Sequence, residues 1–373
     1  MMFLREFVRA RNDRAPRLGA GLCAFALLVS GCGSGSATRV TASPMAAVSR
    51  TTPAWVEEEV SFRVDGMTVY GTWRHPARPG AKVPAALIIA GSGPTDRDGN
   101  SAGLSGIDTY KTLAGVLSAG GVASLRYDKL GSGKTGLGPY ASKIADIGIA
   151  PFEHEARAAL DFLARRPETD KRRLTVIGHS EGALFALLLA TKSRSKTGVS
   201  SLGLLEPLSR RYLDILSGQI TTQIKAQQQA GTITGAQAAE VEDALARAVA
   251  SLRANGTVAA NLPGGLSNVL SPANAKFLSE VDREDPAKVA ARLKAHTPVL
   301  LSCSDADIQV SCDDVEHLAA GLAKAPAATD FIRLTGINHV LKEDPSRTAA
   351  HYTEPLPFSS QLKQALPAFV RAS

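Results

Sequence analysis

The sequence has little to offer a metal ion. Only four cysteines occur in 373 residues. They form no C-x-x-C pair, and no His/Cys cluster sits at metal-ligand spacing, so no metal or organic cofactor is implied. Dense basic runs are also missing. The formal net charge is +7; five arginines against Glu6 and Asp13 ahead of residue 32 supply +3 of it, leaving +4 on the remainder. So mild and dispersed a charge makes no case for nucleic acid. Long apolar runs are missing too, since residues 18–29 are too short for a convincing membrane span.

The N-terminus has a different reading. Arg5, Arg9, Arg11, Arg14 and Arg17 precede that apolar segment, and Leu28-Val29-Ser30-Gly31-Cys32 ends it with small residues and a cysteine. This is the layout of a secretory signal over residues 1–31. Its end resembles a bacterial lipobox, which implies that Cys32 becomes the lipidated first residue of an exported, membrane-anchored chain. An ordinary cleaved signal, with Cys32 incidental, is the alternative. Gly33-Ser34-Gly35-Ser36-Ala37-Thr38 opens a small, polar tether over residues 32–54. Cys23 leaves with the signal, so Cys303 and Cys312 remain in the folded body; a bridge across the short loop between them and two free thiols are both open.

From residue 55 the pattern is one of strands and helices in alternation. Asp65-Gly66 between two alternating runs predicts a hairpin. Apolar strands are predicted at residues 85–90, 122–127, 173–177, 202–205, 299–302 and 331–334, with helices at 109–119 and 153–165 between them. This predicts an α/β fold, a mostly parallel sheet covered by helices on both faces. The alternation breaks over residues 207–297, which hold no convincing strand. Thr234-Gly235-Ala236-Gln237 reads as a capping box, and Val241, Leu245, Ala248 and Leu252 form one helical stripe. We read this stretch as a helical lid inserted into a core of residues 55–206 and 298–373. The stripe is expected to pack on the catalytic face, although a helix merely covering the core has the same spacing.

Gly178-His179-Ser180-Glu181-Gly182 follows a predicted strand and precedes an apolar helix. That is the context a G-x-S-x-G nucleophile elbow requires, and it makes Ser180 the candidate nucleophile. Gly99-Asn100-Ser101-Ala102-Gly103 matches the same pattern without a strand before it and reads as a loop. Gly131-Ser132-Gly133-Lys134-Thr135 resembles the end of a phosphate-binding loop, but Asp128 stands where that motif needs glycine.

A serine nucleophile needs a base, and the base needs an orienting acid. Among seven histidines, His339 lies in a loop directly after the last predicted strand, where a base can reach the elbow. His179 is within the elbow but points elsewhere, and the others fall on helices or away from strand ends. For the acid, Asp307 at the loop tip after residues 299–302 is favoured, with Asp305 and Glu206 as substitutes. Asp313 and Asp314 read as first-turn carboxylates of the next helix. The oxyanion donors are expected to be the backbone N–H groups of Glu181 and Ser92.

Together these residues resemble the α/β-hydrolase superfamily, particularly bacterial secreted serine esterases of the monoglyceride-lipase and serine-aminopeptidase-like branch. The resemblance rests on Gly91-Ser92-Gly93-Pro94-Thr95-Asp96-Arg97-Asp98-Gly99-Asn100 as oxyanion loop and on Leu125-Arg126-Tyr127-Asp128-Lys129 leading to Gly133-Lys134. It also rests on the acid strand ending at Asp307 and on Asn338-His339-Val340-Leu341-Lys342 as base loop. It implies a hydrolase of small acyl esters acting through Ser180, Asp307 and His339, and it also selects Asp307 over Asp305. Cys303 and Cys312 depart from the pattern. A peptidase, an acyltransferase or a silent binding lipoprotein on the same fold are the alternatives.

Overall fold

Asp65 and Gly66 both take positive φ, 51° and 76°, as a two-residue hairpin turn demands. They join β1 (Trp55–Val64) to β2 (Met67–Pro76). The structure, a computed structural model, describes residues 55–373 except 79, 81 and 193–196; the signal, Cys32 and the tether to residue 54 lie outside the described residues. Six further strands follow: β3 (Val83–Ile89), β4 (Ala123–Tyr127), β5 (Thr169–His179), β6 (Ser201–Leu205), β7 (Pro298–Ser304) and β8 (Ala328–Leu334). They form one sheet in the order β1-β2-β4-β3-β5-β6-β7-β8. β1 pairs antiparallel with β2 and β2 with β4; every later pairing is parallel.

The central strands are apolar without alternation because helices cover both faces. In β3, Leu87 and Ile89 join one buried cluster, with Leu160, Val176, Leu184 and Leu318. Ala86 and Ile88 join another, with Leu113, Ile177, Leu362 and Leu366. The first face is covered by α2 (Ala150–Ala164), α3 (Glu181–Lys192) and α8 (Cys312–Lys324), the second by α1 (Thr109–Ala119) and α9 (Ser360–Ala372).

Between β6 and β7 lie α4 (Tyr212–Gln229), α5 (Gly235–Asn255), α6 (Ala275–Asp282) and α7 (Pro286–Ala290). Thr234 and Gln237 close the reciprocal cap of α5, and Asp285 caps α7 ahead of Pro286. The α5 stripe departs from expectation. Val241, Leu245, Ala248 and Leu252 pack with Ile220, Ile224, Leu266 and Leu278 in a cluster of their own, not onto the catalytic face. Two amphipathic helices can bury their stripes against each other and need no third surface. It is α4 and α6 that reach the core: Ile215 and Val281 belong to its cluster, and Tyr212 and Phe277 pack against both clusters. The short α7 belongs with the core: Val289 and Ala290 join the cluster of α3 and α8. The buried Asp282 carboxylate ties the insertion's ends, accepting from Arg211 Nη2 at 2.5 Å, Arg253 Nε at 2.9 Å and the Leu213 N–H at 2.9 Å.

Candidate active site

Ser180 takes φ of 54° between β5 and α3, a left-handed conformation that costs a non-glycine residue on the order of 1–3 kcal/mol. The surrounding sequence accommodates the turn by having no side chain where the backbones meet. A Cβ on Gly178 would lie 2.3 Å from the Gly182 carbonyl oxygen, and one on Gly182 would lie 2.3 Å from that of Ile89. The turn is held by the Ser180 N–H donating to Leu205 O at 3.0 Å and by Leu208 donating to Ser180 O at 2.9 Å. Glu181 opens α3, so its N–H is one of the terminal amides without an intrahelical acceptor.

His339 and Asp307 meet across 32 residues of sequence, with Nδ1 of the ring 2.7 Å from Oδ2 of the carboxylate and both side chains buried. Asp307 also accepts from the Gln309 N–H at 2.7 Å and the Val310 N–H at 3.2 Å through Oδ1. A carboxylate only accepts, so His339 carries its proton on Nδ1 and leaves Nε2 free. Ser180 and His339 line one cavity of about 60 Å³ with Ser92, Thr95, Ser101, Thr109 and Gln309. Ser92, Ser180 and Glu181 line a second, of about 30 Å³, walled by Tyr212, Leu216 and Gln219. Beyond it lies a third of about 270 Å³, faced by Leu130, Ile147, Phe152, Tyr212, Val269 and Phe277, with Lys129 and Glu181 at one side. Strands β5, β7 and β8 thus deliver serine, carboxylate and imidazole to one edge of the sheet.

The rejected residues have other partners. Asp305 accepts from the Gly336 N–H at 2.7 Å. Asp313 and Asp314 sit in the first turn of α8. Glu206 is fully buried beside Asp307; burial first, and then the neighbouring carboxylate, raise its pKa well above the usual range. Ser101 lies in a loop with a single bridge to Leu104, yet it lines the cavity of about 60 Å³ beside Ser180. The phosphate-loop look-alike is filled by the protein itself. Asp128 Oδ2 accepts from the Lys134 N–H at 2.9 Å and from Arg97 Nη2 at 2.8 Å, and a Cβ on Gly133 would fall 2.3 Å from that carboxyl carbon.

Two connections were not legible in the sequence. His179 Nε2 lies 2.7 Å from the His339 carbonyl and its Nδ1 lies 3.0 Å from the Tyr110 hydroxyl, which accepts from the Gly91 N–H at 2.7 Å. Burial, reinforced by the adjacent His339 ring, pushes the His179 pKa down to about 3, so the ring is neutral. Lys129 Nζ donates to the Gly91 carbonyl and lies 3.5 Å from Glu181 Oε1.

No protein-family profile and no curated protein matches the chain. Solved structures do. The esterase Pf2001 of Pyrococcus furiosus superposes with a TM-score of 0.51 at 15% identity, over 85% of this chain and 93% of that one. Est1E of Butyrivibrio proteoclasticus, with ferulic acid bound, gives 0.51 at 16% identity over 84% and 98% of the two chains. DcsB in complex with its substrate analogue gives 0.50 at 15% identity over 85% and 98%. The chain has the α/β-hydrolase fold. The strand-to-helix turn after β5 holds Ser180.

Proposed function

We propose that the protein is a serine hydrolase that cleaves carboxylic esters through an acyl-enzyme on Ser180. The observation that carries this reading is the buried His339–Asp307 pair, whose ring shares a cavity with a serine held at positive φ. His339 Nε2 takes the Ser180 proton as Oγ attacks the ester carbonyl, and Asp307 stabilises the imidazolium. The backbone N–H groups of Ser92 and Glu181 meet the oxyanion; loss of one such donor typically costs about 100- to 1,000-fold in kcat. His339 then protonates the departing alkoxide, and water, activated by the same ring, releases the acid.

Because His339 must reach the leaving oxygen, the alcohol belongs on its side, in the small cavity lined by Thr95, Ser101 and Thr109. The acyl group then extends the other way, past Leu216 and Tyr212 into the chamber of about 270 Å³. This supports an apolar acyl group and a small alcohol as the preferred substrate, in keeping with the secreted-esterase resemblance. The esterases among the structural neighbours support the ester reading.

A fluorophosphonate probe tests the nucleophile. Soluble protein starting at residue 32 should label, and Ser180→Ala and His339→Ala should not; a folded protein that does not label would sink the proposal. Export and anchoring through Cys32 form part of the same reading and rest on Leu28-Val29-Ser30-Gly31-Cys32. Cys32→Ser should leave the membrane fraction, and an undiminished membrane-bound share would refute the anchor.

A further inference from the structure

Gly91 is held at both of its backbone polar groups by buried side chains, and each of those contacts a residue flanking Ser180. Its N–H donates to the Tyr110 hydroxyl at 2.7 Å, and that hydroxyl donates onward to His179 Nδ1 at 3.0 Å. The neutral His179 ring donates from Nε2 to the His339 carbonyl, which fixes its tautomer and leaves Nδ1 as acceptor. The Gly91 carbonyl accepts from Lys129 Nζ, which in turn lies 3.5 Å from the Glu181 carboxylate. Lys129 and Glu181 are both nearly buried, at 8% and 4% side-chain exposure. So costly a buried pair calls for a reason beyond stability.

The peptide bond supplies that reason. The Gly91 carbonyl and the Ser92 N–H belong to one planar unit, and in a trans peptide they point in opposite directions. A cation that fixes the carbonyl therefore fixes where the N–H aims. It also polarises the amide, which strengthens the N–H as a donor. The space is tight enough to hold that direction: a Cβ on Gly91 would lie 3.2 Å from Ser180 Cβ and 3.4 Å from His179 Nδ1.

We propose that Lys129 is the positioning residue of the oxyanion hole. Its ammonium aims the Ser92 N–H through the shared peptide and is itself aligned by Glu181, the residue that supplies the second donor. Tyr110 and His179 brace the preceding peptide from the other side. This rests on the serine-hydrolase reading and adds to it a residue that borders the acyl chamber and acts on the reacting carbonyl only through the Gly91–Ser92 peptide.

The test separates transition-state from ground-state binding. A trifluoromethyl ketone accepts Ser180 Oγ at its carbonyl carbon, the serine proton passes to His339, and the carbonyl oxygen becomes an oxyanion in the hole. The matching secondary alcohol occupies the site without that charge. For Lys129→Met we expect kcat and trifluoromethyl-ketone affinity to fall together by about 10- to 100-fold, below the loss of a whole donor. With acetyl substrates and methyl-ketone-sized analogues, too short to enter the chamber that Lys129 borders, KM and affinity for the alcohol should stay within about threefold, since only transition-state binding is lost, and Lys129→Arg should recover part of the loss. Should Lys129→Met not melt cooperatively, Lys129→Gln replaces it with the same outcomes. An unchanged kcat, or equal losses for ketone and alcohol, overturns the proposal while leaving the hydrolase reading intact. A wild type that neither labels with fluorophosphonate nor turns over ester overturns both.

Discussion

Glu206 and Asp307 bring two carboxyl groups together in the protein interior, one from the end of β6 and one from the loop after β7. Only Asp307 reaches His339, at 2.7 Å. Two adjacent buried carboxyls cannot both ionise cheaply, and burial together with Asp307 raises the Glu206 pKa. Burial beside Asp307 thus favours the protonated form of Glu206, and Asp307 is the carboxyl that contacts the His339 ring. Asp307→Asn should cut kcat by about ten-thousand-fold, because the amide can favour the wrong ring tautomer. Glu206→Gln, a neutral isostere, should stay within about tenfold of wild type. A larger loss for Glu206→Gln than for Asp307→Asn in steady-state ester kinetics would exchange their roles.

Stability should depend on pH through Glu155. Its carboxyl is buried in α2 and accepts from the Leu130 N–H at 2.9 Å, and burial pushes its pKa up to about 8. Between about pH 4.3, where an unfolded glutamate ionises, and about 8, the folded state holds a proton that the unfolded state has lost. Unfolding free energy contributed by this group falls as pH rises through that window. Glu155→Gln removes the dependence, so its stability relative to wild type should climb from pH 4.5 to 7.5 in urea titrations. A pH-independent difference would show that Glu155 does not hold its proton in the folded chain.

The disulfide between Cys303 and Cys312 joins the end of β7 to the start of α8, with Asp307 in the loop it closes. For a loop of this size, chain entropy gives roughly 2–3 kcal/mol of stabilisation. Cys303→Ser with Cys312→Ser should lower the unfolding free energy by about that amount and reduce kcat as the acid loop loosens. Equal activity of oxidised and fully reduced protein at 25 °C would mean that Asp307 is held by the Gln309 and Val310 amides alone.

Acyl-chain preference should be set at Leu216, which lines both the cavity beside Ser180 and the larger chamber. Leu216→Trp should leave acetyl esters within about threefold while lowering kcat/KM for octanoyl esters by 10-fold or more, the order expected when several methylenes lose their burial. A uniform loss across chain lengths would place the acyl group elsewhere.

Much of this was legible in the sequence for physical reasons. The apolar strand of β5, the glycines at 178 and 182, and the apolar run of α3 specify a turn that few other patterns produce. Loop position after β8 singled out His339. The cavity-lining role of Ser101 and the burial of Glu206 beside Asp307 depend on contacts far apart in the chain, which local pattern does not encode. Lys129 and His179 carried no distinguishing signal, since a lysine in a loop and a histidine beside a nucleophile are equally compatible with solvent. The α5 stripe announced a buried face without saying which partner buries it.

That partner has consequences for how the molecule is taken apart and rebuilt. An insertion with its own apolar interior, joined to the core through Tyr212, Ile215, Phe277 and Val281 and tied at its ends by Asp282, can exchange its amide hydrogens as a separate cooperative unit. Substitutions inside it can then be tolerated while the sheet beneath retains its register. Chambers of different length could evolve over one unchanged set of strand ends, with selection acting on the roof and sparing the floor.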